Sequence, residues 1–226
     1  MFLVVIAEQF GQKAADFAHH YPHILYSWMV MIILIVLARL ATAKISMVPK
    51  GLQNLFEYVV ESIDNFQFSI MGSKGRVFFP LMATLIIYVF ACNVQGLIPG
   101  SFAPTSNLNT TAGLAIIIFL LTHIVGIKMH GFHYIKHFMG PMPLLAPLMF
   151  VIEIVSHFSR LISLSLRLFG NVMGEELVVA ILFLLAGAYF APLPMMFLGL
   201  FTGFLQAFII TLLAMIYISD AMADSH

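Results

Sequence analysis

Residues 77–127 read VFFPLMATLIIYVFACNVQGLIPGSFAPTSNLNTTAGLAIIIFLLTHIVGI, and none of these 51 positions carries a charged side chain. A transmembrane helix needs about 20 predominantly apolar residues, so this stretch is long enough for two spans. Pro99 and Pro104 lie near its middle, where they favour a loop over a helix. The stretch therefore predicts a hairpin of two membrane-spanning helices at residues 77–97 and 110–127.

The composition of the whole chain also indicates a membrane protein. Of its 226 residues, 62% are hydrophobic and 9% are charged, whereas soluble domains carry about 25% charged residues. The basic and acidic residues balance, so no basic surface points to nucleic acid. The single cysteine, Cys92, excludes an internal disulfide and a multi-cysteine metal site.

Further segments complete a single membrane domain, which begins with an outer N-terminal segment at residues 1–23. A first span is predicted at 24–43. Residues 48–66 carry apolar side chains on one face at helical spacing and acidic ones on the other, which predicts an amphipathic helix at the interface or against a partner; a surface helix packed on its own chain is the alternative. A second uncharged stretch predicts a hairpin of two long, tilted helices at 147–188 and 193–219. The expected fold is all-α and polytopic, with about five spans.

Basic residues indicate the orientation of these spans. They lie in the two inter-span loops or at their edges, and the hairpin tips have none: Arg39, Lys44, Lys50, Lys74, Arg76, Lys128 and Lys136. The positive-inside rule places those loops in the cytoplasm or matrix. With five crossings, the N-terminus is then expected outside and the C-terminal tail inside.

Arg167 lies in the middle of a long apolar segment. An arginine at membrane depth costs at least roughly 2.5–3.5 kcal/mol, and it cannot escape this cost by losing its proton. With about 100° of rotation per residue, seven residues share its helical face within roughly 60°: Glu153, Ser156, Arg160, Ser163, Gly170, Asn171 and Gly174. This stripe predicts a face turned to a water-filled cleft or to another protein.

Small and polar residues also recur on the next predicted helix, at Gly199, Thr202, Gly203 and Gln206. Two such faces on neighbouring helices predict a wide surface that receives other helices. Glu176 lies about 180° from Arg167 by the same geometry and nearer the outer end, as expected for a carboxyl group that exchanges protons with the outer side. Glu153 could serve the inner side or pair with Arg160.

Other candidates carry less weight. Glu175 is interpreted as snorkelling or pairing with His157. His133 and His137 have the i, i+4 spacing of a metal-binding pair, but a solvated basic loop is the better interpretation. His123 lies inside a span, where it could hydrogen-bond to a neighbouring helix. The sequence has no phosphate-binding loop, GxSxG or HExxH motif, and hence no ordinary catalytic centre.

The segment SLSLRLFGNVMGEEL, residues 163–177, resembles the signature of subunit a of F-type ATP synthases, the stator half of a membrane proton path. Further segments resemble the same family in the same order: GLQNLFEYVVESI from residue 51, NVQGLIPG from 93, TSNLNTTAGLA from 105 and FLQAFIITLLAMIYIS from 204. The resemblance covers most of the chain from about residue 45 onward. The arginine-centred motif is its most specific part.

This resemblance implies roles for particular residues. Arg167 would be the essential stator arginine that faces a rotating ring of c subunits, with Asn171 and Gln206 as polar neighbours at the ring interface. Glu176 would belong to an outer proton half-channel, and Glu153 and Ser163 to an inner one. Four glycines would provide ring-facing packing: Gly170, Gly174, Gly199 and Gly203.

The outer half-channel departs from the family pattern at two positions. Gly199 stands where some members have a histidine or a carboxylate, and Gly96 stands where some have an aspartate. The outer channel is therefore expected to rely on Glu176 together with Asn93, His123 and water.

The resemblance also implies partners: the c-ring, subunit b of the peripheral stalk, other ATP synthase subunits and membrane lipid, without nucleic acid. The subunit itself would be non-catalytic and hold no cofactor or metal, and would translocate H⁺, which is favoured over Na⁺ because no cluster of oxygen ligands is evident. The expected location is the bacterial inner membrane, with the mitochondrial inner membrane as the alternative.

One rival function is a stand-alone secondary transporter with Arg167 as its anion or coupling site. Another is a membrane enzyme or a quinone- or haem-binding subunit using His123, His133 and His157.

Overall fold

A computed structural model describes residues 16–17, 20–43, 45–46, 49, 51–98, 100–131, 146–186, 190 and 192–222, except for the side chains at 146, 147, 153, 161 and 186. In these parts of the chain, the long helices are α1 (Pro22–Thr42), α2 (Leu52–Met71), α3 (Phe79–Gly96), α4 (Leu108–His130), α5 (Ala146–Ala186) and α6 (Leu193–Met222). All except α2 are long and apolar enough to cross a membrane. The expected all-α polytopic fold is confirmed.

Local sequence explains where several helices begin and end. Asn107 precedes α4, and its side-chain oxygen accepts a hydrogen bond of 2.9 Å from the backbone N–H of Asn109, which caps the helix. Pro22 and Pro80 lie in the first turns of α1 and α3, where a missing N–H costs nothing. Gly72 ends α2 with a φ of 62°, a backbone conformation that favours glycine.

The amphipathic helix begins and ends later than residues 48–66, the range expected from the sequence. Gly51, with a φ of 59°, sets its start, and the helical pattern continues to Met71. Its buried side includes Ile63 and Gln67, and it packs on α1, α3 and α6. Leu55 remains exposed on the other side. The helix therefore packs on its own chain and still presents apolar side chains outward.

Helix α6 lies at the centre of the bundle, in contact with α2, α3, α4 and α5. Small residues on its buried side, including Gly203, Ala207 and Ala214, allow the neighbouring helices to approach closely. The core extends through Met82 and Val89 of α3, which are fully buried. This packing leaves α5 at the edge of the bundle.

Helix α5 runs for 41 residues from Ala146 to Ala186, which corresponds to about 60 Å at 1.5 Å per residue. A hydrocarbon core is about 30 Å thick, so a helix of this length must tilt or run partly along the interface. Leu164, Leu168 and Val172 are buried against the bundle. The opposite side of α5 is open. No break interrupts α5, although the secondary-transporter alternative predicted half-helix breaks at mid-membrane.

Candidate functional site

The guanidinium of Arg167 lies on the open side of α5. Leu164 and Leu168 flank it in sequence and are 5% and 1% exposed, so they fix the helix face that packs inward. Arg167 itself is exposed. Within the described residues, it forms neither an ion pair nor a hydrogen bond. The helix therefore presents a permanently charged group to whatever lies beside the bundle.

The residues around Arg167 keep this side open. A Cβ atom added at Gly170 or Gly174 would meet nothing within 4 Å. Asn171 and Ser163 are exposed on the same side. Toward the N-terminal end of α5, Ser163 lines an open cleft of about 410 Å³ together with Ile154, Val155, Phe158, Ser159 and Ile162.

Asn171 and Gln206 are joined directly, across the two long helices. The side-chain nitrogen of Asn171 donates a hydrogen bond of 2.9 Å to the side-chain oxygen of Gln206. Gln206 is only 3% exposed. The sequence expected both amides at a ring interface. In the structure, the Gln206 side chain points into the bundle, whereas Asn171 is exposed.

Gly199 and Gly203 are the two glycines of α6 that the sequence expected to face a ring. Both glycines are buried inside the bundle. A Cβ atom at Gly203 would lie 3.1 Å from the Cβ atom of Asn93 on α3. Their small size serves close packing of α6 within the chain, whereas Gly170 and Gly174 remain open.

Glu176 is held in the C-terminal half of α5 by the loop that follows α3. Its Oε1 atom accepts a hydrogen bond of 2.7 Å from the backbone N–H of Ala103. Gly96 leaves room for this contact, since a Cβ atom there would lie 2.7 Å from the Cβ of Ala103 and 3.2 Å from Oε1 of Glu176. A glycine at position 96 thus accommodates both the glutamate and the loop.

Asn93 lies in the same region, and both the nitrogen and the oxygen of its side chain form hydrogen bonds. Its side-chain nitrogen donates to the backbone oxygen of Gly203 at 3.0 Å, and its side-chain oxygen accepts from the hydroxyl of Thr105 at 2.7 Å. Asn93 and Thr105 are both buried. The fold therefore brings two of the predicted outer residues, Asn93 and Glu176, to the same end of the bundle.

Glu175 is the residue whose position the sequence did not indicate. Its Oε2 atom accepts a hydrogen bond of 3.1 Å from the hydroxyl of Thr202 on α6. Its other carboxylate oxygen fills the space beside Gly199, where an added Cβ would collide with it. A glycine opposite a carboxylate on the paired helix was the available signal. Of the two interpretations of Glu175, pairing with His157 is wrong, because they lie 18 residues apart on α5.

His123 does not lie with the outer residues. It is within the last three turns of α4, before Lys128 at the predicted inner end. The centre of its ring is 5.0 Å from that of His157 on α5. The structure therefore does not bring His123 together with Glu176, with which the sequence grouped it, because His157 lies 19 residues before Glu176 on α5.

Some predicted residues lie outside the described part of the chain. These are His133 and His137 and the side chain of Glu153.

The guanidinium of Arg160 lies over the ring of Tyr217, 5.0 Å from its centre. Within the described residues, no group of three or more His, Cys, Asp or Glu side chains could hold a metal ion.

A family model described as ATP synthase A chain matches residues 24–219. The chain belongs to the ATP synthase A chain family. Within this family, ATP synthase subunit a of Syntrophobacter fumaroxidans is 53% identical over 224 residues, which cover 99% of this chain and 93% of that protein. That of Desulfosudis oleivorans is 48% identical over 226 residues, covering 100% and 98%.

A third relative, ATP synthase subunit a of Trichlorobacter lovleyi, is 53% identical over 203 residues, covering 90% of this chain and 88% of that protein. These members of the ATP synthase A chain family are bacterial. Family membership makes the chain a subunit of ATP synthase. Its five apolar helices make it a multi-pass integral membrane subunit.

Proposed function

We propose that this subunit is the stator of a rotary proton motor. In this proposal, Arg167 faces carboxyl groups on a ring of c subunits and separates two offset proton half-channels, so that proton flow drives rotation and ATP synthesis. The observation that carries the proposal is the exposed Arg167, which has no ion-pair or hydrogen-bond partner among the described residues. A cation kept at membrane depth without an internal partner needs a function outside the chain.

The chemistry of a moving carboxyl group explains the need for a fixed cation. An ionised carboxylate is expensive in lipid, so a ring carboxyl group crosses it in the neutral form. Close to the Arg167 guanidinium, the ionised form becomes favourable. A carboxyl group arriving at Arg167 therefore releases its proton to one side and takes up another from the opposite side before it returns to lipid.

The outer half-channel is assigned to the polar cluster at the outer end of the bundle. Glu176 and Glu175 supply the groups that can carry a proton, and Asn93, Thr105 and Thr202 line the same region. Glu176 lies nine residues beyond Arg167, about 14 Å along the helix. Protons entering here reach the ring on one side of the arginine.

The inner half-channel is assigned to the cleft on the other side of Arg167. Ser163 lies one turn inward, and Ser159 lines the same cleft. Glu153 is placed further inward by its position in the sequence. The two assigned paths are thus offset along α5, and each charge that crosses gains roughly 2.3 kcal/mol per 100 mV of membrane potential.

The proposal also covers the ion that the subunit translocates, the subunits that it contacts and the membrane in which it lies. The translocated ion is H⁺, and the subunit carries out no ATP chemistry and holds no cofactor. Its partners are the c-ring, subunit b of the peripheral stalk, other ATP synthase subunits and lipid. The bacterial inner membrane is favoured over the mitochondrial one because the relatives are bacterial. The open space at Gly170 and Gly174 supports the proposal that ring helices pack against this face of α5.

The decisive experiment compares Arg167→Lys with Arg160→Lys in inverted membrane vesicles that pump protons with ATP. Lysine keeps a positive charge but lacks the delocalised multi-donor head, so Arg167→Lys should show little acidification. Arg160 lies on the same face of α5 over the ring of Tyr217, which a lysine can also occupy. Arg160→Lys should therefore pump close to wild type.

Assembly is checked by co-purification of the small ring subunit with each variant. If Arg167→Lys assembles and acidifies the vesicles as wild type does, Arg167 is not the group that controls ring carboxylates. If both lysine variants fail equally while assembled, the effect is not specific to the arginine at the centre of the open face.

A further inference from the structure

His123 of α4 and His157 of α5 face one another across the contact between these two helices. Their ring centres are 5.0 Å apart, and the ring planes meet at 52°. Both residues are half-buried. The proposed proton path uses neither residue.

Aromatic packing holds the two rings in place. Phe119 lies one turn before His123 on α4, and its ring is edge-on to that of His123 with centres 4.3 Å apart. The same Phe119 ring is 6.5 Å from that of His157 and 6.1 Å from that of Phe158. One aromatic ring therefore touches both histidines, and this restricts their orientations relative to each other.

We infer that His123 and His157 form a two-histidine binding site for a divalent transition-metal ion such as Zn²⁺ or Cu²⁺. Zn²⁺ binds imidazole nitrogens at about 2.0–2.1 Å with tetrahedral angles, which places two ligating ring centres about 5 Å apart. The observed 5.0 Å separation fits this arrangement. Imidazole ligands favour Zn²⁺, Cu²⁺ and Ni²⁺ over Mg²⁺ and Ca²⁺, which prefer oxygen.

The surroundings define what kind of site this is. No third His, Cys, Asp or Glu side chain completes a metal-binding group within the described residues. Solvent or an added ligand fills the other coordination positions, so binding is reversible. The cation Arg160 is one turn from His157, but its guanidinium lies over the ring of Tyr217 on α6. A bound ion would connect α4 to α5 on the inner side of Arg167.

The test titrates the detergent-purified ATP synthase complex with Cu²⁺ alone and follows nitrogen-ligated copper by electron paramagnetic resonance. His123→Gln and His157→Gln should each raise the dissociation constant of one such copper about tenfold or more. The double variant, which keeps neither imidazole, should lose this copper signal. The control is His133→Gln with His137→Gln, which removes the two histidines at i, i+4 spacing in the sequence and should leave this copper in place.

A second measurement needs no variant. The wild-type complex is treated with diethyl pyrocarbonate with and without Zn²⁺, and mass spectrometry reads modification at His123, His157 and, as a control, His130. Zn²⁺ should protect His123 and His157 from modification and leave the modification of His130 unchanged. The inference is overturned if Zn²⁺ changes the labelling of all three histidines to the same extent. It is also overturned if copper binding is lost only when His133 and His137 are replaced. Neither readout uses proton transport, so a negative result leaves the role of Arg167 untouched.

Discussion

The side-chain nitrogen of Asn171 donates a hydrogen bond of 2.9 Å to the side-chain oxygen of Gln206. This contact links the open side of α5, one turn from Arg167, to the buried side of α6. The side-chain nitrogen of Gln206 is buried and has no hydrogen-bond partner among the described residues. The pair therefore couples the orientation of the helix that carries Arg167 to the packing of the bundle core.

The first prediction concerns this pair. Asn171→Leu and Gln206→Leu should each slow ATP-driven acidification of inverted vesicles, since either change leaves the other amide without its partner. The double variant should be only as slow as the worse single variant, with a coupling of about 0.5–3 kcal/mol for residues in contact. Initial rates of acidification, normalised to the amount of assembled complex, provide the measurement.

A matched control uses Gln95, a buried amide of α3 that donates to the Ser101 hydroxyl at 3.3 Å rather than to either residue of the pair. Asn171→Leu and Gln95→Leu should act independently. If Asn171→Leu and Gln206→Leu also combine additively, the hydrogen bond between them has no part in positioning Arg167.

The second prediction concerns Glu176. In Glu176→Gln, the side-chain oxygen can still accept from the N–H of Ala103, so the outer loop and the assembled complex should survive. An amide cannot carry a proton, and passive proton flux through vesicles stripped of the catalytic head should fall strongly. Glu176→Ala serves as the comparison, because it removes both the proton carrier and the acceptor for Ala103. Unchanged flux in Glu176→Gln would remove this residue from the path.

The third prediction concerns the fit of Glu175 against Gly199. A methyl group at Gly199 would collide with the Glu175 carboxylate and lie 2.9 Å from Leu97. Gly199→Ala should therefore lower the thermal stability of the detergent-purified complex by overpacking, typically about 1–3 kcal/mol. Shortening the opposing side chain with Glu175→Ala in the same chain should recover part of that loss.

Gly113→Ala supplies the control for this pair. An added Cβ at Gly113 meets nothing within 4 Å, and alanine favours a helix over glycine, so thermal stability should be unchanged or slightly raised. If Gly199→Ala melts at the wild-type temperature, the carboxylate of Glu175 does not occupy the space beside the glycine.

The fourth prediction concerns orientation in the membrane. The sequence has one cysteine, Cys92, which is buried, so single cysteines can be added in a Cys92→Ser background. Lys74→Cys should react with a membrane-impermeant maleimide from the inner side, and Asn109→Cys from the outer side, because basic loops stay inside. Both positions are exposed. Reaction of the two cysteines from the same side would contradict the hairpin formed by α3 and α4.

Much of the fold could be predicted from local sequence. A helix spans a membrane because its side chains are apolar over a sufficient length, whatever it packs against, and this property is visible in the uncharged residues 77–127. The position of Arg167 on a polar face follows from helical periodicity alone. The first residue of the amphipathic helix was harder to predict from the sequence, because it depends on the backbone conformation at Gly51.

The sequence by itself determined that this chain crosses the membrane repeatedly and carries a cation on a small, polar helix face. Only the tertiary structure decided which small residues are open: Gly170 and Gly174 are, whereas Gly199 and Gly203 are buried. The physical reason is that small residues serve close helix packing equally within a chain and between chains. Likewise, the residues that Glu175 and His123 contact depend on which faces α5 and α6 turn toward their neighbours. The order of residues along the chain does not specify those faces.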